Sequence, residues 1–137
     1  MKKSGLSIFV FCFALAIFAV NLASAQQPPA QKQPASVAGK WTLYCNDPRG
    51  ATSSKFLDLR QNGNVITGHF KGPNQSGGLE GTIDNQHLVI RTKTRGILTF
   101  RGRVDGPRVD GVVQGNAFNG TFHDRGGTGS FQGVRSN

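Results

Sequence analysis

The chain has 137 residues, 36% of them hydrophobic, and its Lys and Arg (16) outnumber Asp and Glu (7) to give a formal net charge of +9. This length suits about one small domain and leaves no room for a second core. The only cysteines are Cys12 and Cys45. A basic protein of this kind tends to meet anionic partners, although charge can equally serve solubility alone.

The first residues have the features of a secretion signal. Lys2 and Lys3 precede an apolar stretch over residues 6–22, and Ala23-Ser24-Ala25 forms a cleavage site. The sequence therefore predicts a signal peptide over residues 1–25 and a periplasmic or extracellular location, with no transmembrane span after cleavage. The alternative is an uncleaved membrane anchor. Cys12 would leave with the signal peptide, so that no intramolecular disulfide could form.

Residues 26–38 read QQPPAQKQPASVA. This stretch is rich in Pro and Gln and has no aromatic residue, so we expect a disordered tether. The folded domain is then predicted to span residues 39–137. Removal of Lys2 and Lys3 with the signal peptide lowers the formal net charge of the chain by two.

A five-residue pattern, apolar-x-Gly-x-apolar, recurs through this domain, as in Phe100-Arg101-Gly102-Arg103-Val104. Alternation with a period of two and breaks at Gly, Asn, Asp and Pro are typical of β-strands. Nine strands are predicted, over residues 40–45, 54–61, 65–71, 78–84, 87–92, 97–104, 109–114, 117–123 and 130–135.

The breaks between these strands predict an antiparallel register. Asn62-Gly63 is a strong signal for a type I′ hairpin turn. The predicted opposing pairs are Leu59–Ile66, Ile83–Leu88, Val104–Val109, Val113–Phe118 and Phe122–Phe131. This register would align Gly102, Gly111, Gly120 and Gly133 on the inner face, where glycine allows bending, room for large neighbours, or a ligand cavity.

The predicted fold class is all-β: an antiparallel up-and-down meander closing into a barrel of eight or nine strands. Closure removes the exposed edges that a long open sheet would present. A two-layer β-sandwich is the alternative.

Short motifs carry a resemblance to a known architecture. Gly39-Lys40-Trp41 opens the first strand, and Ile66-Thr67-Gly68-His69-Phe70 follows in a hairpin. These motifs resemble small secreted barrels of the calycin type, which include lipocalins, avidins and periplasmic metalloprotease inhibitors. The chain lacks the several tryptophans of avidin-like sites and the paired cysteines common in the inhibitors. The resemblance therefore implies the fold and no binding residue.

No motif indicates catalysis, a metal site or a cofactor. A G-x-S-x-G elbow, a P-loop and a dinucleotide fingerprint are all missing, and the histidines have no metal-ligand spacing. The predicted register places Glu80 beside His69, which alone leaves an envelope hydrolase open as a hypothesis. We expect a protein that is not an enzyme.

Basic residues concentrate in one part of the chain. Arg91, Lys93 and Arg95 alternate, and Arg101 projects outward from the next strand, while Arg103 is expected to pair with Asp110. This stripe could contact polyanions or lipid head groups. No aromatic residues interleave with it, so sequence-specific nucleic-acid binding is not expected.

The leading hypothesis is a non-catalytic carrier with a small apolar or amphipathic ligand inside the barrel. The interior residues expected to contact it are Trp41, Phe70, Phe100, Phe118 and Phe122. The alternative is an interaction protein, such as an inhibitor of an envelope protease, acting through residues 26–38 or a loop. The loops 46–53, 72–77 and 124–129 are the expected places for specificity.

Overall fold

The computed structural model describes residues 33–136. This part of the chain contains strands and no helix, hence no helix long and apolar enough to cross a membrane. The strands are β1 (Gly39–Asn46), β2 (Thr52–Asn62), β3 (Val65–Lys71), β4 (Ser76–Asp84), β5 (His87–Thr92), β6 (Thr99–Asp105), β7 (Arg108–Val109), β8 (Val112–Val113), β9 (Ala117–Asp124) and β10 (Gly127–Ser136).

The strands form a closed antiparallel barrel in the order β1-β10-β9-β6-β5-β4-β3-β2. Each strand pairs with its neighbours along the chain, apart from the β7–β8 hairpin, and β10 returns to pair with β1. The predicted meander that closes into an eight-stranded barrel is confirmed. Its architecture is consistent with the calycin type.

The strand predicted over residues 109–114 is wrong, because the barrel does not use it. β6 pairs directly with β9, and β7 and β8 form a separate small hairpin. Asp110 and Gly111 have φ angles of 51° and 80° and turn the chain between them. An Asp-Gly pair favours this tight turn, which overrides the apolar-x-Gly-x-apolar pattern. Gly111 therefore lies outside the inner row of glycines.

Two of the predicted registers are shifted by two residues. Gly63 (φ 59°) occupies the first central position of its turn, so Gln61 lies opposite Ile66 and Leu59 opposite Gly68. At the last turn, Phe131 lies opposite Gly120 and not Phe122. A shift of two keeps every side chain on its predicted face. The predicted pair Ile83–Leu88 is confirmed.

Alternate residues of every barrel strand point inward and form one hydrophobic core. Phe118 and Phe131 lie at the centre, with ring centroids 4.7 Å apart. Phe100 packs edge-on against Phe131 at 5.4 Å, and Trp41 against Phe118 at 6.4 Å. These edge-to-face contacts stabilise the core beyond the area that they bury.

Inward glycines lie where strands come too close for a side chain. A Cβ atom on Gly120 would be 1.9 Å from the carbonyl oxygen of Arg101, and one on Gly102 would be 2.2 Å from that of Asn119. On Gly133 it would be 2.6 Å from the Leu43 side chain. Of the three roles predicted for the glycines, the structure shows room for large neighbours. It also shows a role that was not predicted, the close approach of neighbouring strands.

The segment 33–38 closes one end of the barrel, so the prediction of a disordered tether is wrong for these residues. Ala35 and Val37 are buried. The Ala35 amide donates to the carbonyl of Asn85, and the Ser36 amide donates to that of Val113. Two apolar side chains and a set of backbone partners offset the entropy cost that the Pro- and Gln-rich composition implies.

Arg135 fastens this closed end. Its guanidinium donates to the carbonyl oxygens of Ser36 (3.0 Å), Ala38 and Gly115 (2.6 Å), and lies 5.0 Å from the centroid of the Trp41 ring. Burial lowers the Arg135 pKa. The predicted signal peptide, Cys12 and residues 26–32 of the predicted tether lie outside the described residues.

Candidate ligand site at the open end of the barrel

The opposite end of the barrel carries a cavity of about 300 Å³. It lies among the connections β1–β2, β3–β4, β5–β6 and β9–β10, which include parts of all three loops expected to carry specificity. We call this cavity the mouth. Its lining residues are Asp47, Ala51, Thr52, Ser53, Lys55, Phe70, Gly72, Pro73, Asn74, Gln75, Leu98, Phe122 and Asp124.

Lys55 is the unusual residue of the mouth. It occupies an inward position of β2 in phase with Leu57 and Leu59, and only 8% of its surface is exposed. Its ammonium donates to the Ser53 hydroxyl at 2.7 Å and lies 5.1 Å from the centroid of the Phe122 ring. Among residues 33–136, no carboxylate lies within 4 Å of this ammonium. A buried cation without an anionic partner is costly unless polar contacts compensate.

Carboxylates are present at the rim of the mouth, but they hold backbone turns. Asp47 Oδ1 accepts from the amides of Arg49 (2.9 Å) and Ala51 (2.8 Å). Asp124 Oδ1 accepts from the Gly126 amide at 2.7 Å. These contacts fix the connections that follow β1 and β9.

Cys45 lies next to Lys55 and was correctly predicted to be buried. Burial raises the pKa of the Cys45 thiol, and the neighbouring Lys55 ammonium acts in the opposite direction. Because burial dominates, the thiol is held neutral, unlike reactive cysteines in open, electropositive sites.

The apolar side of the mouth is formed by Phe70, Leu98 and Phe122, all of them buried. Gln75 ties two rim connections together, since its amide nitrogen donates to the Gly96 carbonyl (2.7 Å) and its amide oxygen accepts from the Gly96 amide (3.0 Å). The mouth therefore combines the Lys55 ammonium with an apolar wall, and hydrogen bonds hold the loops of its rim in place.

The aromatic residues predicted to surround a ligand divide into two groups. Phe70 and Phe122 line the mouth. Trp41, Phe100 and Phe118 belong to the core, and the Trp41 indole N–H donates to the Val37 carbonyl (2.9 Å) at the closed end. Sequence reasoning missed Lys55. The available signal was its position two residues before Leu57, in phase with the inward face.

The predicted basic stripe is only partly brought together. Arg91, Arg95 and Arg101 line one groove on the outside of the barrel, whereas Lys93 forms a 3.1 Å salt bridge with Glu80. Two side-chain pairs that the sequence predicts on this outer face, Glu80–His69 and Arg103–Asp110, are wrong.

The β3–β4 register places Thr67 opposite Glu80, with His69 opposite Gly78. Arg103 pairs with Asp105 at 2.9 Å rather than with Asp110, because Asp110 lies in the β7–β8 turn. The Glu80–His69 arrangement that left a hydrolase open is thus not formed as the sequence suggested.

No cluster of three or more His, Cys, Asp or Glu residues that could hold a metal ion occurs in the described part of the chain. Comparison with protein-family models and with curated protein sequences finds no match.

Proposed function

We propose that this protein is a non-catalytic binding protein that takes a small amphipathic anion at the mouth of its barrel. The observation that carries the proposal is Lys55, a buried ammonium without a carboxylate partner among the described residues, beside an apolar wall. A ligand carboxylate would pair with this ammonium, while its hydrocarbon part would contact Phe70, Leu98 and Phe122.

The mouth favours a small ligand. Its volume of about 300 Å³ is at the lower end of the range that small-molecule pockets occupy. Core residues such as Phe100 and Phe118 are completely buried and pack against neighbouring rings, so the proposed ligand lies above them and not among them. This refines the hypothesis of a ligand inside the barrel.

We further propose that the protein is secreted to the periplasm or beyond, which rests on the signal features of residues 1–25. The alternative of an envelope-protease inhibitor relied partly on an exposed segment over residues 26–38. Residues 35–38 of that segment contact the barrel at its closed end, which weakens the argument.

Titration with octanoate, monitored by the amide NMR spectrum of the protein, tests the proposal. Octanoate should shift the amides of Lys55, Phe70 and Phe122. Lys55→Met should weaken its binding roughly tenfold or more, because a hydrogen bond to a charged group contributes about 1.5–3 kcal/mol and 1.4 kcal/mol corresponds to tenfold.

Lys71→Met is the matched control, since Lys71 ends β3 near the mouth but is exposed. This variant should bind octanoate like the unmodified protein, and octanol should bind more weakly than octanoate. Equal losses in the two variants, or equal binding of octanol and octanoate, would contradict the proposal. Near-UV circular dichroism checks that Lys55→Met keeps its core packing.

A further inference from the structure

A groove of about 500 Å³ lies on the outer surface, beside the mouth, with which it shares the lining residue Asp124. It runs across β5, β6 and β9, with the β5–β6 connection and the β9–β10 turn at its edge. Its lining residues are Val89, Arg91, Arg95, Ile97, Thr99, Arg101, His123, Asp124 and Arg125. We call it the arginine groove.

The sheet register brings these side chains together from distant parts of the chain. Thr99 lies between Arg91 of β5 and His123 of β9. Two residues further along β6, Arg101 lies between Val89 and Thr121. Arg101 therefore has neutral residues on both sides. Arg91 has Thr99 on one side and Glu80 of β4 on the other, and the Glu80 carboxylate forms its salt bridge with Lys93.

The arginines of the groove have no ion-pair partner within the part of the chain that the structure describes. The salt bridges found there, Lys93–Glu80 and Arg103–Asp105, involve none of the groove arginines. Asp124 is the acidic residue in the lining, and its Oδ1 accepts from the Gly126 amide. The groove thus gathers several arginines that form no salt bridge among the described residues, and such a concentration of positive charge favours an external anion.

We infer that the arginine groove binds a ligand that carries two or more phosphate groups, on either a soluble sugar or a lipid head group. Guanidinium groups match phosphate through paired N–H donors, which gives geometry as well as charge. Several guanidinium groups from separate elements suit more than one phosphate. The lining contains no Phe, Tyr or Trp, so a nucleobase would find no stacking surface.

The first test is titration with inorganic pyrophosphate, followed by calorimetry and by amide NMR. The amides of Arg91, Arg101 and His123 should shift together. Arg91→Gln and Arg101→Gln should each weaken binding by roughly tenfold, the change expected when a hydrogen bond to a charged group is lost.

Arg60→Gln is the matched control, because it removes the same charge from an exposed position on β2, across the barrel from β5 and β6. Binding of pyrophosphate by this variant should stay within twofold of the unmodified protein. If all three variants lose affinity equally, binding reflects net charge alone and the inference fails. Arg101→Lys further distinguishes binding by net charge from binding by the guanidinium group, since it keeps the charge but removes the paired N–H donors.

Two further arms identify the source of the phosphate. Glucose 1,6-bisphosphate represents a soluble ligand, and phosphatidylcholine vesicles with and without cardiolipin, a lipid with two phosphate groups, represent a membrane surface. Binding to either that is lost in Arg101→Gln but kept in Arg60→Gln supports the groove and assigns its ligand. Failure to bind pyrophosphate, the sugar phosphate and the anionic vesicles overturns the inference and leaves the mouth proposal untouched.

Discussion

At the scale of single residues, the inward faces of β1 and β2 carry a thiol and an ammonium near the end of the barrel that contains the mouth. Cys45 and Lys55 are both almost fully buried, yet each continues a run of apolar side chains. Burial keeps the Cys45 thiol neutral, whereas the Lys55 ammonium has the Ser53 hydroxyl as its hydrogen-bond partner.

The raised pKa of the Cys45 thiol predicts a loss of stability in alkaline solution. Above the ordinary pKa of a free thiol, about 8.5, the unfolded chain releases the proton before the folded chain does, so unfolding becomes easier as pH rises. Urea unfolding between about pH 7 and about pH 9.5 should show this decline more steeply in the unmodified protein than in Cys45→Ala.

Below the ordinary thiol pKa, the contribution of Cys45 to the unfolding free energy of the protein is fully present and does not change with pH. Native protein at neutral pH should also react slowly with iodoacetamide, compared with protein in urea. Parallel pH profiles for the two proteins, or rapid alkylation of the native thiol, would show that Cys45 is not held neutral by burial.

At the scale of the elements, glycines set how closely neighbouring strands approach. Gly120 of β9 lies opposite Gly102 of β6 on one side and Phe131 of β10 on the other. The small residue leaves space for the aromatic ring and lets the β6 backbone approach. A methyl group there has no free volume, since the atoms it would meet belong to the backbone of Arg101 and Gly102.

Gly120→Ala should therefore destabilise the barrel by more than about 2 kcal/mol, as strained core substitutions do. Gly78→Ala in β4 is the control, because its Cβ would meet nothing closer than 3.8 Å. That variant should change stability little, or stabilise by up to about 1 kcal/mol through the unfolded chain. Urea denaturation measures both, and similar losses in the two variants would argue against the steric explanation.

At the scale of the whole described domain, the two ends of the barrel differ in construction. One end is closed by residues 33–38 and by the connection that contains β7 and β8, held together by Arg135. The other end is open at the mouth. Side-chain hydrogen bonds to backbone carbonyls, rather than apolar contacts alone, keep the closed end in place.

Arg135→Met should loosen the closed end without affecting the mouth, because it removes the donors to Ser36, Ala38 and Gly115. Hydrogen exchange should accelerate at the amides of Ser36 and Gly115, which bond within this end. The Gly72 amide, which donates to Gln75 at the mouth, is the internal control. Uniform acceleration across the barrel would indicate global destabilisation instead.

The faces of the strands could be predicted from the sequence, because alternation with a period of two separates inward from outward residues directly. Register could not be read in the same way. A shift of two residues, as at Leu59, preserves the hydrophobic pattern, and the geometry of the turn decides between the two pairings. The apolar-x-Gly-x-apolar repeat at Val109–Val113 led to a wrong strand prediction for a related reason, since Asp110-Gly111 turns the chain.

The candidate site was only partly predictable. Phe70 and Phe122 were identified as interior residues and line the mouth, but Lys55 was not, because a lysine in strand phase is ordinarily exposed. In the same way, the Pro- and Gln-rich composition around Ala35 and Val37 obscured two side chains that fill the closed end. Both features depend on contacts distant in sequence.

The segment that begins at Gln33 and the last described residue, Ser136, meet the barrel at the same pole, since β1 starts and β10 finishes there. An affinity handle or a surface linker attached after Ser136 would leave the opposite pole unobstructed. Immobilisation at that point should preserve access to the mouth, whereas coupling through lysine amines would modify charges on several sides of the molecule.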